Sequence, residues 1–136
     1  MRAVPDIGLE ASSTTGPLIY DTAPGDGSGS NVGHAGWYII GGTSASSPMW
    51  AGLVADAAQL AGHSLGLIND DLYALAATPS SYAANFHDVA TGNTNQTDPT
   101  IPGYPAGPGW DAVTGLGTPK ADVLIPALAR LAATTN

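Results

Sequence analysis

The residues of this chain best placed to do chemistry lie in Gly41-Gly42-Thr43-Ser44-Ala45-Ser46-Ser47-Pro48. They follow an apolar, strand-like run, Trp37-Tyr38-Ile39-Ile40, and precede a helical pattern that begins near Met49. A serine at such a junction can sit exposed at the positive end of a helix, with its backbone N–H free to meet a developing oxyanion. The glycines allow a tight turn and a close approach of substrate to the backbone. The same residues also suit a plain helix start, with a serine N-cap and Pro48 in the first turn. Both readings stay open on this stretch alone.

Composition narrows the chemistry. The chain has 136 residues, enough for one domain with a sizeable core, and 43% of them are hydrophobic. Lys and Arg number 3 against 11 Asp and Glu, a formal net charge of -8. That balance excludes a nucleic-acid partner and an anionic membrane surface, since both need basic clusters. It suits work at acid pH, where carboxylates become neutral, or bound divalent cations. There is no cysteine, hence no disulfide, thiolate metal site or thiol nucleophile. Residues 1–6 carry no apolar stretch of the signal-peptide kind, and Asp56 interrupts the best candidate for a membrane span. The composition reads as that of a soluble chain, with no membrane partner.

The elements that must position Ser44 follow from periodicity and punctuation. Val4 to Leu9 and Leu18 to Thr22 read as short extended segments, and Gly36 to Ile40 as a short central strand that is buried. Pro24 to Asn31 is a loop by composition and lacks a phosphate-loop ending. From Ser47 to about Leu60 the apolar residues recur with helical spacing over so wide an arc that a buried helix is expected, with Gly62 as its stop. Asp70 to Ala76 gives a shorter helix with acids in its first turn. Residues 78–118 read as a long turn-rich region, the kind that carries function or is tethered from outside, for example by a cation. A last helix is expected to start with Thr118 as N-cap and Pro119, and to kink or divide into two abutting segments at Pro126.

Three blocks occur in order: Arg2-Ala3-Val4-Pro5-Asp6-Ile7; Gly42-Thr43-Ser44-Ala45-Ser46-Ser47-Pro48-Met49-Trp50-Ala51-Gly52; and Phe86-His87-Asp88-Val89 with Gly107-Pro108-Gly109-Trp110-Asp111 continuing to Pro119. Together they closely resemble the C-terminal portion of the sedolisin family, the serine-carboxyl peptidases, from about residue 2 to residue 125. The resemblance implies an α/β class, the C-terminal portion of a subtilisin-like fold. It also implies a mainly parallel sheet, flanking helices and a long calcium-binding loop region. Residues 1–136 would then be the C-terminal part of a peptidase domain, incomplete on its N-terminal side. It further implies an extracellular setting and a peptide or protein substrate.

By match to the family's Gly-Thr-Ser motif, Ser44 is the expected nucleophile. A serine hydroxyl needs a base to take its proton, and a carboxylate is the sensible base under acid conditions, where histidine is protonated. The family's glutamate, its partner aspartate and its oxyanion aspartate all match positions upstream of this sequence. The one Glu, Glu10, stands four residues after Asp6, but Pro5 and Gly8 oppose a regular helix there, and neither residue is given a catalytic role. The chain is thus expected to hold a nucleophile without its base, and to be inactive alone. The competing expectation is a non-catalytic, calcium-stabilised binding or structural module derived from the same fold.

The resemblance also implies a Ca²⁺ site built from Asp88, the carbonyl of Val89, the carbonyls of Gly107 and Gly109, and Asp111. Hard oxygen ligands of this kind suit Ca²⁺. Capping of turns by the two aspartates is the simpler alternative. His34, His63 and His87 do not fit a subtilisin-style triad, and surface or packing roles are expected for them. Trp37, Trp50 and Trp110 are expected to be buried aromatics, with Trp37, close before Ser44, the best candidate to line a cleft.

Overall fold

In a computed structural model the protein is described over residues 4–22, 35–92, 100 and 102–133. The expected loop Pro24 to Asn31 and His34 lie outside the described residues. The chain divides into two compact units, Met1–Leu9 with Trp50–Asn136, and Glu10–Met49.

The Glu10–Met49 unit is built on a hairpin. β1 (Leu18–Asp21) pairs antiparallel with β2 (Gly36–Ile39), with Leu18 opposite Ile39 and Asp21 opposite Gly36. β2 is not the buried central strand expected from its composition: Trp37 is 68% exposed and Ile39 is exposed too. A two-stranded ribbon has one partner per strand and no second layer over its faces. Tyr20 and Trp37 meet edge to face at 5.3 Å across the pair, as cross-strand aromatics do. The helix α1 (Thr43–Ala61) starts in this unit and continues into the other.

α1 begins earlier than the sequence pattern suggests and takes Pro48 inside it. Pro48 is the sixth residue of α1; it has no N–H to give the Ser44 carbonyl and its ring crowds that carbonyl, a cost that falls within the second turn. The helix is also less buried than its apolar arc suggests, with Met49 and Leu60 exposed and only Ala45 and Ala57 buried.

The other unit gathers its core from Ala57, Leu72, Phe86, Leu116, Leu124 and Leu128. These come from α1, α2 (Asn69–Leu75), the two-residue strand β3 (Phe86–His87) and α4 (Ala121–Ala132), with Leu116 from the loop before Thr118. α2 carries Asp70 and Asp71 in its first turn, as expected. α3 (Pro79–Asn85) is a helix that the turn-rich reading of 78–118 does not include. Its signal is nonetheless present: Thr78 accepts the Ser81 N–H at 3.3 Å and Pro79 fills the first helical position. The same signal at Thr118-Pro119 instead marks β4 (Thr118–Pro119), paired antiparallel with β3, and α4 starts two residues later behind Lys120. α4 runs through Pro126 as one helix rather than breaking there.

The mainly parallel sheet is not found among the described residues, where both sheets are two-stranded and antiparallel. A parallel pair requires a crossover that carries the chain back to the same end of the sheet. Here β1 and β2 are sequence neighbours of opposite direction, and the chain after His87 returns as β4 against β3. Residues 4–9 form no ladder strand, yet their backbone is tied to 115–117 by Leu116 N–H to Asp6 O (2.8 Å) and Gly8 N–H to Gly117 O (2.9 Å).

Candidate functional site

Ser44 is the second residue of α1 and is exposed. Gly41 and Gly42 create its setting. Gly42 has φ +83°, a left-handed conformation that favours glycine, and its N–H donates to Ala11 O at 2.6 Å. A Cβ on Gly41 would lie 2.6 Å from Ser13 N and 2.7 Å from the Ser12 carbonyl carbon, so the 11–13 backbone can approach only a glycine. Ala45 and Ser46 both donate back to Gly42 O (2.9 and 3.4 Å), which leaves the Ser44 N–H out of that backbone network. An exposed hydroxyl beside its own N–H at the positive end of a 19-residue helix can attack an acyl carbon and help hold the oxyanion that forms.

The carboxylates at positions 6 and 10 have hydrogen-bond partners of their own. Glu10 Oε1 accepts the Ser12 N–H at 2.6 Å, and the Glu10 carbonyl accepts Ser46 Oγ at 2.9 Å. In the other unit, Asp6 is engaged by Asn69 Nδ2 (2.9 Å) and the Tyr73 hydroxyl (2.8 Å). His63 sits with its Nδ1 3.0 Å from Ser64 O, and His87 is exposed at the end of β3. Trp50 donates to Gly8 O (3.3 Å) and Trp110 to Pro5 O (3.0 Å), so both indoles pin residues 5–8.

The second set of residues comes together around the 107–111 turn. Asp88 Oδ2 accepts the Gly109 N–H at 3.0 Å, and Asp111 Oδ2 accepts the Gly107 N–H at 3.1 Å. Asp111 Oδ1 also takes the N–H groups of Val113 and Thr114, each at 2.8 Å, with the Thr114 hydroxyl at 3.4 Å. Asp88 Oδ1 receives the Tyr82 hydroxyl at 3.0 Å. None of the backbone hydrogen bonds among the described residues uses the carbonyl of Val89, Gly107 or Gly109. Gly109 has φ +80°, which bends the chain back between the two aspartates.

Charge follows geometry. Burial alone would push the Asp111 carboxyl up, but the N–H groups of Thr114, Gly107 and Val113 outweigh it and hold the group below its ordinary value. Tyr82 is pushed up to about 12, first by burial, then by its bond to Asp88 and by the negative charges of Asp88 and Asp111. Both carboxylates therefore act on one phenol, and their hydrogen-bond donors are all neutral groups. Two anions held by neutral donors leave charge for a cation to balance. No cluster of three or more His, Asp or Glu occurs among the described residues, so a cation here would rely on backbone carbonyls as well.

Sequence reasoning passes over Tyr82, Val113 and Thr114. An Asp followed by donors two and three residues on is the pattern of an Asx turn, so Val113 and Thr114 can be found that way. Tyr82 lies six residues before Asp88 on the helix hidden in the turn-rich stretch, and no local signal marks it.

No protein-family model matches the chain. Kumamolisin of Bacillus sp. (strain MN-32) is 39% identical over 128 residues, covering 93% of this chain and 20% of its own length. Sedolisin of Pseudomonas sp. (strain 101) is 38% identical over 118 residues, 86% of this chain and 17% of its own. The solved structure of Pseudomonas sedolisin, a serine-carboxyl proteinase complexed with two molecules of pseudo-iodotyrostatin, aligns with a TM-score of 0.65 and 35% identity. That alignment takes in 96% of this chain and 29% of the other. The chain belongs to the sedolisin family. Its fold is a part of the sedolisin-family α/β fold, and it spans about a fifth of the length of the curated relatives it matches.

Proposed function

We propose that the chain is the C-terminal part of a serine-type endopeptidase of the serine-carboxyl class, acting on peptides or proteins at acid pH. The observation that carries this is the exposed Ser44 in the first turn of α1, with its N–H outside the backbone network, in a chain of the sedolisin family. In this reading Ser44 Oγ attacks the scissile carbonyl as a carboxylate takes its proton, and the Ser44 N–H stabilises the oxyanion. The base and the second oxyanion group come from family positions that match nothing in this chain, so the isolated chain holds half an active site. Assayed alone on peptides at acid pH it is expected to give no turnover. Turnover that disappears on Ser44→Ala would place a base within the chain and overturn the half-site reading. An extracellular setting follows from the same resemblance.

The proposal includes a Ca²⁺ ion on Asp88, Asp111 and the carbonyls of Val89, Gly107 and Gly109. The residues fit such a group in chemistry: hard oxygens, two carboxylates that meet at the 107–111 turn with neutral donors only, and carbonyls of Val89, Gly107 and Gly109 that no backbone hydrogen bond among the described residues uses. Asp111 Oδ1 already takes two short N–H bonds, so Oδ2 is the oxygen with more capacity left. The bound ion would tie the long loop to β3 and stabilise the folded chain by mass action. The melting temperature is expected to rise with millimolar Ca²⁺ relative to chelator. An unchanged midpoint in the folded chain would remove the ion from the account.

A further inference from the structure

The two aspartates of the cation site are held in very different ways. Asp111 is buried, and three backbone N–H groups fix its carboxylate directly. Asp88 is exposed and has a single backbone donor, Gly109 N–H. Its other oxygen is held by a side chain, the Tyr82 hydroxyl at 3.0 Å. A carboxylate with one tether rotates about its side-chain bonds, whereas one held through both oxygens has its plane fixed.

The donor comes from a rigid place. The Tyr82 ring stacks on Phe86 at 5.7 Å and 28°, and Phe86 is among the most fully buried side chains. α3, which carries Tyr82, is capped by Thr78 at its start. Near its end, the carbonyls of Ala83 and Asn85 accept Lys120 Nζ (2.6 Å) and Lys120 N–H (2.8 Å). Asn85 Nδ2 returns to Ser81 O within the helix at 2.9 Å. The phenol is thus delivered from a fixed helix onto the one exposed, loosely held carboxylate of the site. Each Asp88 oxygen has spent one acceptor position on a donor, and each keeps another for a cation.

We propose that Tyr82 is a positioning residue for the cation site, orienting Asp88 for Ca²⁺ through its hydroxyl. This rests on the calcium reading above and adds to it. Hydrogen-bond partners of metal-ligating carboxylates set ligand orientation, and their loss usually weakens metal affinity about 10–100-fold. Tyr82→Phe removes one oxygen and keeps the ring that packs on Phe86, so the fold is retained. Tyr73→Phe is the matched control: its hydroxyl goes to Asp6 Oδ1 at 2.8 Å instead.

The test is a calorimetric titration of CaCl₂ into the purified chain and both variants, with melting curves in chelator alongside. The expected result is a Kd for Tyr82→Phe about tenfold or more weaker than that of the unmodified chain, a Kd for Tyr73→Phe that is unchanged, and a calcium-induced rise in melting midpoint that is smaller for Tyr82→Phe than for the unmodified chain. Equal Kd values for Tyr82→Phe and the unmodified chain would overturn the role of Tyr82 and leave the calcium site standing. A chelator midpoint that falls for Tyr82→Phe with an unchanged calcium-induced shift would make the tyrosine merely structural and also overturn it. Absence of binding to the folded, unmodified chain would overturn both readings together.

Discussion

Asp111 shows how much a single residue's surroundings can decide. Its carboxyl is buried, which opposes ionisation, yet backbone N–H groups from Thr114, Gly107 and Val113 stabilise the anion more and hold its pKa below the ordinary value. A carboxyl depressed in the folded state contributes stability above the unfolded pKa of about 4, and that contribution is lost as pH falls through the folded value. The melting midpoint of the chain in chelator is therefore expected to fall as pH drops below about 4. Asp111→Asn should flatten that part of the profile while lowering stability at neutral pH. An equally steep acid limb in the variant would show that other groups set it. Ser44, Asp88 and Asp111 stand out in the sequence because short motifs surround them. Tyr82 does not, because its contact with Asp88 depends on a helix turn and the end of a strand meeting in space.

At the scale of elements, residues 4–9 depend on the loop that carries Asp111. The backbone bonds of Asp6 and Gly8 to 116 and 117 are joined by the Trp110 indole on Pro5 O. Gly115 has φ +62° and a Cβ there would collide with the Asp6 carbonyl; Gly117, at φ +84°, would collide with that of His87. Gly117→Ala is expected to be strongly destabilising for both reasons, whereas Gly52→Ala, which meets nothing within 4 Å, should not be. Comparable melting midpoints for the two variants would show that the Gly117 backbone yields cheaply. Trp110→Phe removes the indole N–H and should cost about 1 kcal/mol, read from chemical unfolding. Helices α1, α2 and α4 are readable from periodicity, although their ends shift by a few residues. The strands are read less well, since pairing partners and direction are long-range properties that a four-residue run does not encode. Exposure of β2 is a case in point: apolar composition suggests burial, but burial needs a covering layer.

Taken whole, the chain carries an apolar hairpin with Leu18, Tyr20, Trp37 and Ile39 exposed, while among the described residues no helix is long and apolar enough to cross a membrane. Exposed edges and aromatic faces of this kind invite self-association. Light scattering of the purified chain is expected to show oligomers, and a clean monomer would contradict that. The family is legible from the amino-acid order because three blocks span nearly the whole chain. The central claim, that Ser44 is a sedolisin-type nucleophile, is tested most directly by grafting. This chain would replace the corresponding segment of Pseudomonas sedolisin, and peptide hydrolysis would be measured at acid pH. The account predicts turnover in the graft, abolished by Ser44→Ala. A folded graft that stays inactive, or one whose activity survives Ser44→Ala, would contradict it.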